Sequence, residues 1–147
     1  MIKFPTITQL YNSYPKPYQK EIPNCDIKLK DGTYLYKNQC AIRLSIALRK
    51  CGVSLANYSD IKCAHGDALR ARALATFISK QLGPPKILKE GITLFSDRAA
   101  NGIVYFHKLG GLNEDHIDIL YHGATQAESV FGNMWTAMEY WYFKLPE

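Results

Sequence analysis

The sequence predicts an α+β fold in which helices come first and an antiparallel sheet follows. Apolar residues recur at helical spacing over 40–51 and again over 67–82, whereas short β-branched and aromatic runs separated by glycine and acidic turns take over after residue 100. Strands gathered at the end of the chain, instead of alternating with helices, favour an antiparallel sheet over βαβ units.

The first element is a short helix. Thr6 and Gln9 stand three apart just after Pro5, in the pattern of a capping box, and carry Leu10 and Tyr11 inward. Residues 14–34 hold Pro15, Pro17 and Pro23 and an Asp31-Gly32 turn signal, which predicts irregular structure or short edge strands. From Cys40 to Cys51 the run CAIRLSIALRKC puts Ala41, Leu44, Ser45 and Leu48 on one face with Ile42 and Ile46 on its flank, and Gly52 stops it. This wide apolar arc marks a central helix. A further helix is expected to be capped by Asp67, to bury Ala71, Leu74, Phe77 and Ile78 against the preceding one, and to end at Gly83-Pro84-Pro85. Strands are expected at 102–107, 117–121 and 140–145.

With 147 residues and neither an internal repeat nor a linker, the chain is expected to form one domain, 1–147. Its 47% hydrophobic and 21% charged residues exclude disordered and collagenous classes. The richest apolar segment, Ala41–Leu48, is interrupted by Arg43, so no membrane span is expected. The opening MIKFPTITQLYNSYP lacks the basic and apolar regions of a secretory signal, which implies export, if any, by a route that reads none. A net charge of +5 and a pI near 9.0 favour anionic partners. The cations are dispersed, however, with the densest groups at Arg70/Arg72 and Arg43/Arg49/Lys50.

Among residues able to do chemistry, Cys40 stands out because it begins the most apolar helix. A helix N-terminus favours the thiolate, which is the nucleophilic form. Its base must come from elsewhere in the fold, and His116 opens the run HIDILY directly after the polar GGLNED, where its ring can face a cleft at the sheet edge while Ile117 and Ile119 enter the other face. The competing possibility is a zinc-stabilised, nucleic-acid-binding module with Cys51, Cys63 and His65 as ligands and His107 or His122 as a fourth. Cys51-x11-Cys63-x-His65 lacks the close paired spacing of structural zinc sites.

The run YLYKNQCAIRLSIAL, 34–48, resembles the nucleophile segment of the type VI secretion amidase effectors of the fourth class: an aromatic approach, Asn, one residue, Cys, one residue, Ile-Arg. Ser96-Asp97, GIVYFHK, a glycine-containing loop, Asp115-His116-Ile117 and Gly123 follow that family's order, as does the closing YWYFKLP. The resemblance runs from Tyr34 onward and is weak over 52–95; the order of its motifs and the 76-residue separation of Cys40 from His116 make it specific.

This resemblance implies a papain-like, NlpC-type fold and a secreted antibacterial amidase that cleaves the γ-D-glutamyl–meso-diaminopimelate amide of the peptidoglycan stem. It implies Cys40 as nucleophile, His116 as base and acid, and an oxyanion site at the Cys40 N–H with Asn38 as a side-chain candidate or, more simply, a helix cap. Neither cofactor nor metal is implied. The implied partners are the stem peptide, a cognate immunity protein and the type VI apparatus, with no nucleic acid and no membrane insertion; the place of action is the periplasm of a target bacterium. An acyltransferase, transglutaminase or deamidase using the same Cys-His pair is the enzymatic alternative. A Cys51–Cys63 disulfide would suit an oxidising periplasm.

For the third catalytic member the family has aspartate five residues after the strand-ending glycine, where this chain has Glu128, and His122 is an extra residue before that glycine. Glu128 is expected to orient the imidazole, with Asp118, Gln126 or a backbone group as alternatives. Asp118 lies beside His116 on the same strand face, an awkward position from which to reach the ring.

Overall fold

The computed structural model describes residues 3–15, 25, 27–33, 39–90, 92–109, 114–126 and 137–147. Helix α1, Ile7–Ser13, begins with the expected capping box: the Gln9 N–H donates to Thr6 Oγ1 at 3.2 Å and the Thr6 N–H to Gln9 Oε1 at 2.9 Å. The Ile7 N–H donates to the Pro146 carbonyl at 2.8 Å, tying this helix to the far end of the chain.

Helix α2, Cys40–Lys50, buries Ala41, Leu44, Ala47 and Leu48 in the main core and turns Ile42 the other way, onto Cys25 and Cys63. Gly52, at φ +88°, follows it in the left-handed conformation that glycine adopts freely. Helix α3, Ala71–Leu82, buries the four expected apolar residues and ends at Gly83, but Asp67 does not cap it. Its N-cap is Arg70, which makes no side-chain cap bond, and Asp67 instead binds the Arg49 guanidinium of α2 through Oδ1, with Nε at 3.0 Å. A buried carboxylate beside a cation is better satisfied by the ion pair than by one helix N–H. The two helices touch, but each packs chiefly on the sheet strand that carries His116.

The sheet has strands β1 (Lys86–Leu88), β2 (Gly102–Leu109), β3 (Glu114–Tyr121), β4 (Ala124–Thr125) and β5 (Glu139–Lys144) in the order β1-β5-β2-β3-β4, with every pairing antiparallel. The three expected strands are present, the last two starting earlier than expected; β1, β4 and the four-residue helix α4, Ile92–Phe95, are too short for a periodic signal. Strand alternation gives each face its own core. Ile103, Tyr105, Ile117, Ile119 and Phe143 meet the three long helices, whereas Val104, Phe106, Leu120 and Tyr140 meet Leu94, Ala100 and Ala137.

His122 and Gly123 are the two central residues of the β3–β4 hairpin, at φ +53° and +81°, the signs a tight two-residue turn requires. The residue that looked inserted in the sequence is therefore half of this turn. At Gly123 an added Cβ would lie 2.6 Å from the Asp97 carbonyl oxygen, so the hairpin packs directly on the chain after α4.

Cys51 and Cys63 lie in different parts of the structure, Cys51 against Gln9 and Ser13 of α1 and Cys63 beside Cys25. None of the four cysteines is joined in a disulfide. Among the described residues no three His, Cys, Asp or Glu side chains are placed to hold a metal, and no helix is long and apolar enough to cross a membrane.

Candidate active site

Three elements converge on one buried cluster: the first residue of α2, the middle of β3 and the end of α1. Cys40 is the first residue of α2, where the helix dipole adds positive potential. The preceding residue, Gln39, does not cap the helix with its side chain. Its amide is spent on Cys25 instead, accepting from the Cys25 N–H at 3.2 Å and donating from Nε2 to the Cys25 carbonyl at 3.0 Å. This two-point clamp pins the Cys25 backbone beside the start of α2.

His116 and Asp118 share one face of β3, and their side chains join: His116 Nε2 and Asp118 Oδ2 are 3.2 Å apart. Residues two apart on a strand are separated by about 7 Å, which a ring and a carboxylate leaning towards one another can bridge. The sequence-based objection to Asp118 fails for this reason. With Nε2 taken by Asp118, Nδ1 is the ring nitrogen left for the Cys40 thiol, to which His116 is also hydrogen bonded. Burial alone would disfavour the imidazolium, but the hydrogen bond to Asp118, then that to Cys40 and the negative charge of both partners, outweigh it and raise the His116 pKa to about 10.

Asp118 is fully buried, and backbone N–H groups support its Oδ1: Ile119 at 2.7 Å and Gln126 at 3.1 Å. The Gln126 contribution comes through the β3–β4 hairpin, so that turn delivers a donor to the carboxylate behind His116. Gln126 takes part by its main chain; its side chain donates to the Ala124 carbonyl at 3.3 Å.

Tyr14, at the C-cap of α1, is 3% exposed, and its hydroxyl makes no formed hydrogen bond. Burial, then the negative charges of Asp118 and Cys40, push its pKa well above the usual phenol value, and Arg43 opposes them. Arg43 sits one turn after Cys40 on α2, and because helical side chains lean towards the N-terminus it is carried back towards the thiol. Its Nε is buried without a hydrogen-bond partner.

The structure thus brings together Cys40, His116 and Asp118 of the residues expected from sequence. Asn38 and Glu128 lie outside the described residues. His107 and His122 are engaged elsewhere, His107 with the Tyr105 hydroxyl at 3.1 Å and Asp115 at 3.5 Å, His122 with the Arg98 carbonyl at 3.1 Å, and His65 is exposed. Tyr140 and Tyr142 belong to the second core and Trp141 to the first. Sequence reasoning missed Tyr14 and the Gln39 clamp. Neither had a signal beyond proximity to Pro15 and Cys40.

A cysteine at a helix start, joined to a histidine and an aspartate on the neighbouring strand, is the arrangement of a thiol hydrolase. The family model of the type VI secretion system amidase effector protein 4, Tae4, matches residues 36–142. This chain belongs to the Tae4 family. Solved Tae4 structures share its fold. The effector–immunity system Tae4/Tai4 from Salmonella typhimurium aligns with TM-score 0.65 at 15% identity over 95% of each chain. Tae4 from Enterobacter cloacae aligns with TM-score 0.63 at 16% identity over 98% of this chain and 99% of its own. The Tae4–Tai4 complex from Enterobacter cloacae aligns with TM-score 0.54 at 20% identity over 76% of each chain. No curated protein matches the sequence. As a Tae4 family member the chain is a type VI secretion effector and a cysteine-dependent amidase that acts on peptidoglycan.

Proposed function

We propose that Cys40, His116 and Asp118 carry the amidase chemistry, and that the bond cleaved is the γ-D-glutamyl–meso-diaminopimelate amide. The carrying observation is the continuous buried chain from the Cys40 thiol at the N-terminus of α2, through His116, to Asp118. Cys40 gives its proton to His116, and the thiolate attacks the amide carbonyl. The oxygen of the tetrahedral intermediate gains negative charge beside the N-terminus of α2, where the Cys40 N–H is the main-chain donor. His116 then protonates the leaving diaminopimelate nitrogen, the C–N bond breaks, and a glutamyl thioester remains on Cys40. Water, deprotonated by His116, attacks the thioester, releasing the glutamyl carboxylate and regenerating the thiol and imidazole. Asp118 keeps the ring oriented and stabilises its positive charge.

The effector works as a single domain on a substrate outside the cytoplasmic membrane of the target, in the periplasm, and reaches it through the type VI apparatus. A cognate immunity protein protects the producing cell by covering the mouth of the Cys40 site. Two solved Tae4 relatives from Salmonella typhimurium and Enterobacter cloacae form complexes with Tai4 immunity proteins, which supports this reading. Mass analysis of disaccharide-tetrapeptide fragments incubated with the protein tests the reaction. Hydrolysis yields a free glutamyl carboxylate and a diaminopimelate-containing amine, both absent with Cys40→Ala. A product joining two stem peptides, or release of ammonia alone, would replace hydrolysis by transfer or deamidation.

A further inference from the structure

The mechanism above leaves Tyr14 unused, although its hydroxyl is buried next to the reacting groups. A buried donor without a partner is uncommon and calls for a reason. Tyr14 is held firmly in place. The capping box and the Ile7–Pro146 hydrogen bond fix the start of α1, and Tyr11, one turn before Tyr14, stacks on Tyr121 of β3 with ring centroids 4.1 Å apart. The titratable and charged groups facing the hydroxyl are Asp118 from β3 and Cys40 and Arg43 from α2. The hydroxyl senses the Asp118 carboxylate as an acceptor but lacks the geometry of a formed hydrogen bond in the resting site.

We propose that Tyr14 is a positioning residue for the thiol chemistry: its hydroxyl donates to Asp118 when the Cys40 proton moves to His116, and thereby stabilises the carboxylate that faces the imidazolium. The proton transfer creates a thiolate and a positive ring, and the ring's charge is balanced by Asp118. A neutral phenol is the right donor here, since it strengthens the carboxylate without bringing a competing charge, and it stays protonated across the working pH range. The role of α1 is then to present Tyr14 to β3.

The inference rests on the assignment of Cys40 and His116, and the test separates the two. The readout is the rate of Cys40 alkylation against pH, which needs no peptidoglycan, with the other three cysteines replaced by serine or alanine. If the wild-type thiol alkylates with the pH midpoint of an ordinary cysteine, and His116→Ala leaves that midpoint in place, the Cys-His assignment itself fails and Tyr14 with it. If the wild-type thiol is activated, Tyr14→Phe should move the acid midpoint up and the alkaline limb down, narrowing the active window from both sides, and should lower kcat about tenfold at unchanged KM, the worth of one hydrogen bond to a charged group. Packing is kept in Tyr14→Phe. Fluorotyrosine at position 14, a stronger donor of nearly the same shape, should move the acid midpoint the opposite way and answers the question even if Tyr14→Phe folds poorly. An activated thiol whose profile and kcat stay within twofold in Tyr14→Phe, or an unmoved midpoint with fluorotyrosine, overturns the proposal and leaves Tyr14 as packing.

Discussion

The chemistry of the proposed site depends on Cys40 and His116 acting as one unit, so their substitutions should not add. Cys40→Ala and His116→Ala should each remove nearly all amidase activity, and the double variant should be scarcely worse than either alone. Additive losses in kcat/KM would mean that the two side chains act separately. The raised His116 pKa also sets a pH signature. A group whose pKa rises from 6.5 to about 10 on folding contributes stability that is full below 6.5 and is lost as pH rises through 10. Wild-type stability should therefore decline between those limits more steeply than that of His116→Ala, measured by urea unfolding at a series of pH values. Asp118→Asn removes the charge that holds the imidazolium while keeping the shape; kcat should fall by about 100-fold or more, and the alkaline limb of the activity profile should move down. Cys40 could be singled out in the sequence because a helix start has a local pattern, and His116 because it opens the run HIDILY directly after the polar GGLNED. Asp118 was legible only as an alternative to Glu128, because whether a side chain two residues along a strand reaches its neighbour depends on how both lean, which no spacing encodes. Tyr14 reaches the site through the packing of α1 on α2 and on β3, contacts between segments far apart in the sequence.

At the level of elements, the site is built where α2 and the β3–β4 hairpin meet, and the ties that hold those two in place are testable separately. The Arg49–Asp67 pair fastens the segment before α3 to the end of α2. Asp67 is the buried partner and Arg49 the half-exposed one, so Arg49→Ala strands a buried charge whereas Asp67→Ala frees a cation that can reach water. Arg49→Ala should therefore be the more destabilising, by about 2–3 kcal/mol, in urea unfolding. Gly123 tests the other tie. A Cβ there meets both a left-handed backbone and the Asp97 carbonyl, so Gly123→Ala must shift the turn that brings the Gln126 N–H to Asp118. Stability and kcat should fall together in that variant, whereas Arg49→Ala should leave kcat near wild type. The long elements were legible because they repeat a period for two turns or more. Asp67 was misread because a capping residue and one half of an ion pair look alike until the partner's position is known. β1, α4 and β4 exist through their neighbours: β1 pairs with β5 and β4 closes the hairpin, and neither has enough residues to show a period.

Over the whole molecule, the two faces of the sheet divide the labour. Three helices cover one face and fix Cys40 and Tyr14, while the second core supports the opposite side of β2, β3 and β5 and packs Phe106 near the His116 ring, with centroids 5.3 Å apart. The Cys40–His116–Asp118 connection is made by side chains of this one chain. The fully assembled enzyme should therefore be active wherever it folds, and toxicity should be decided by access to substrate alone. The proposed amide lies outside the cytoplasmic membrane, out of reach of protein that stays in the cytoplasm. Expression in the cytoplasm of a susceptible bacterium should be tolerated, whereas the same chain fused to an export signal should lyse the cell, and exported Cys40→Ala should not. Because Cys40, His116 and Asp118 come together with no disulfide among the four cysteines, purified cytoplasmic protein should cleave isolated peptidoglycan without prior oxidation. Equal toxicity from both compartments, or lysis by exported Cys40→Ala, would point to a target other than the cell wall or to a mechanism other than thiol hydrolysis.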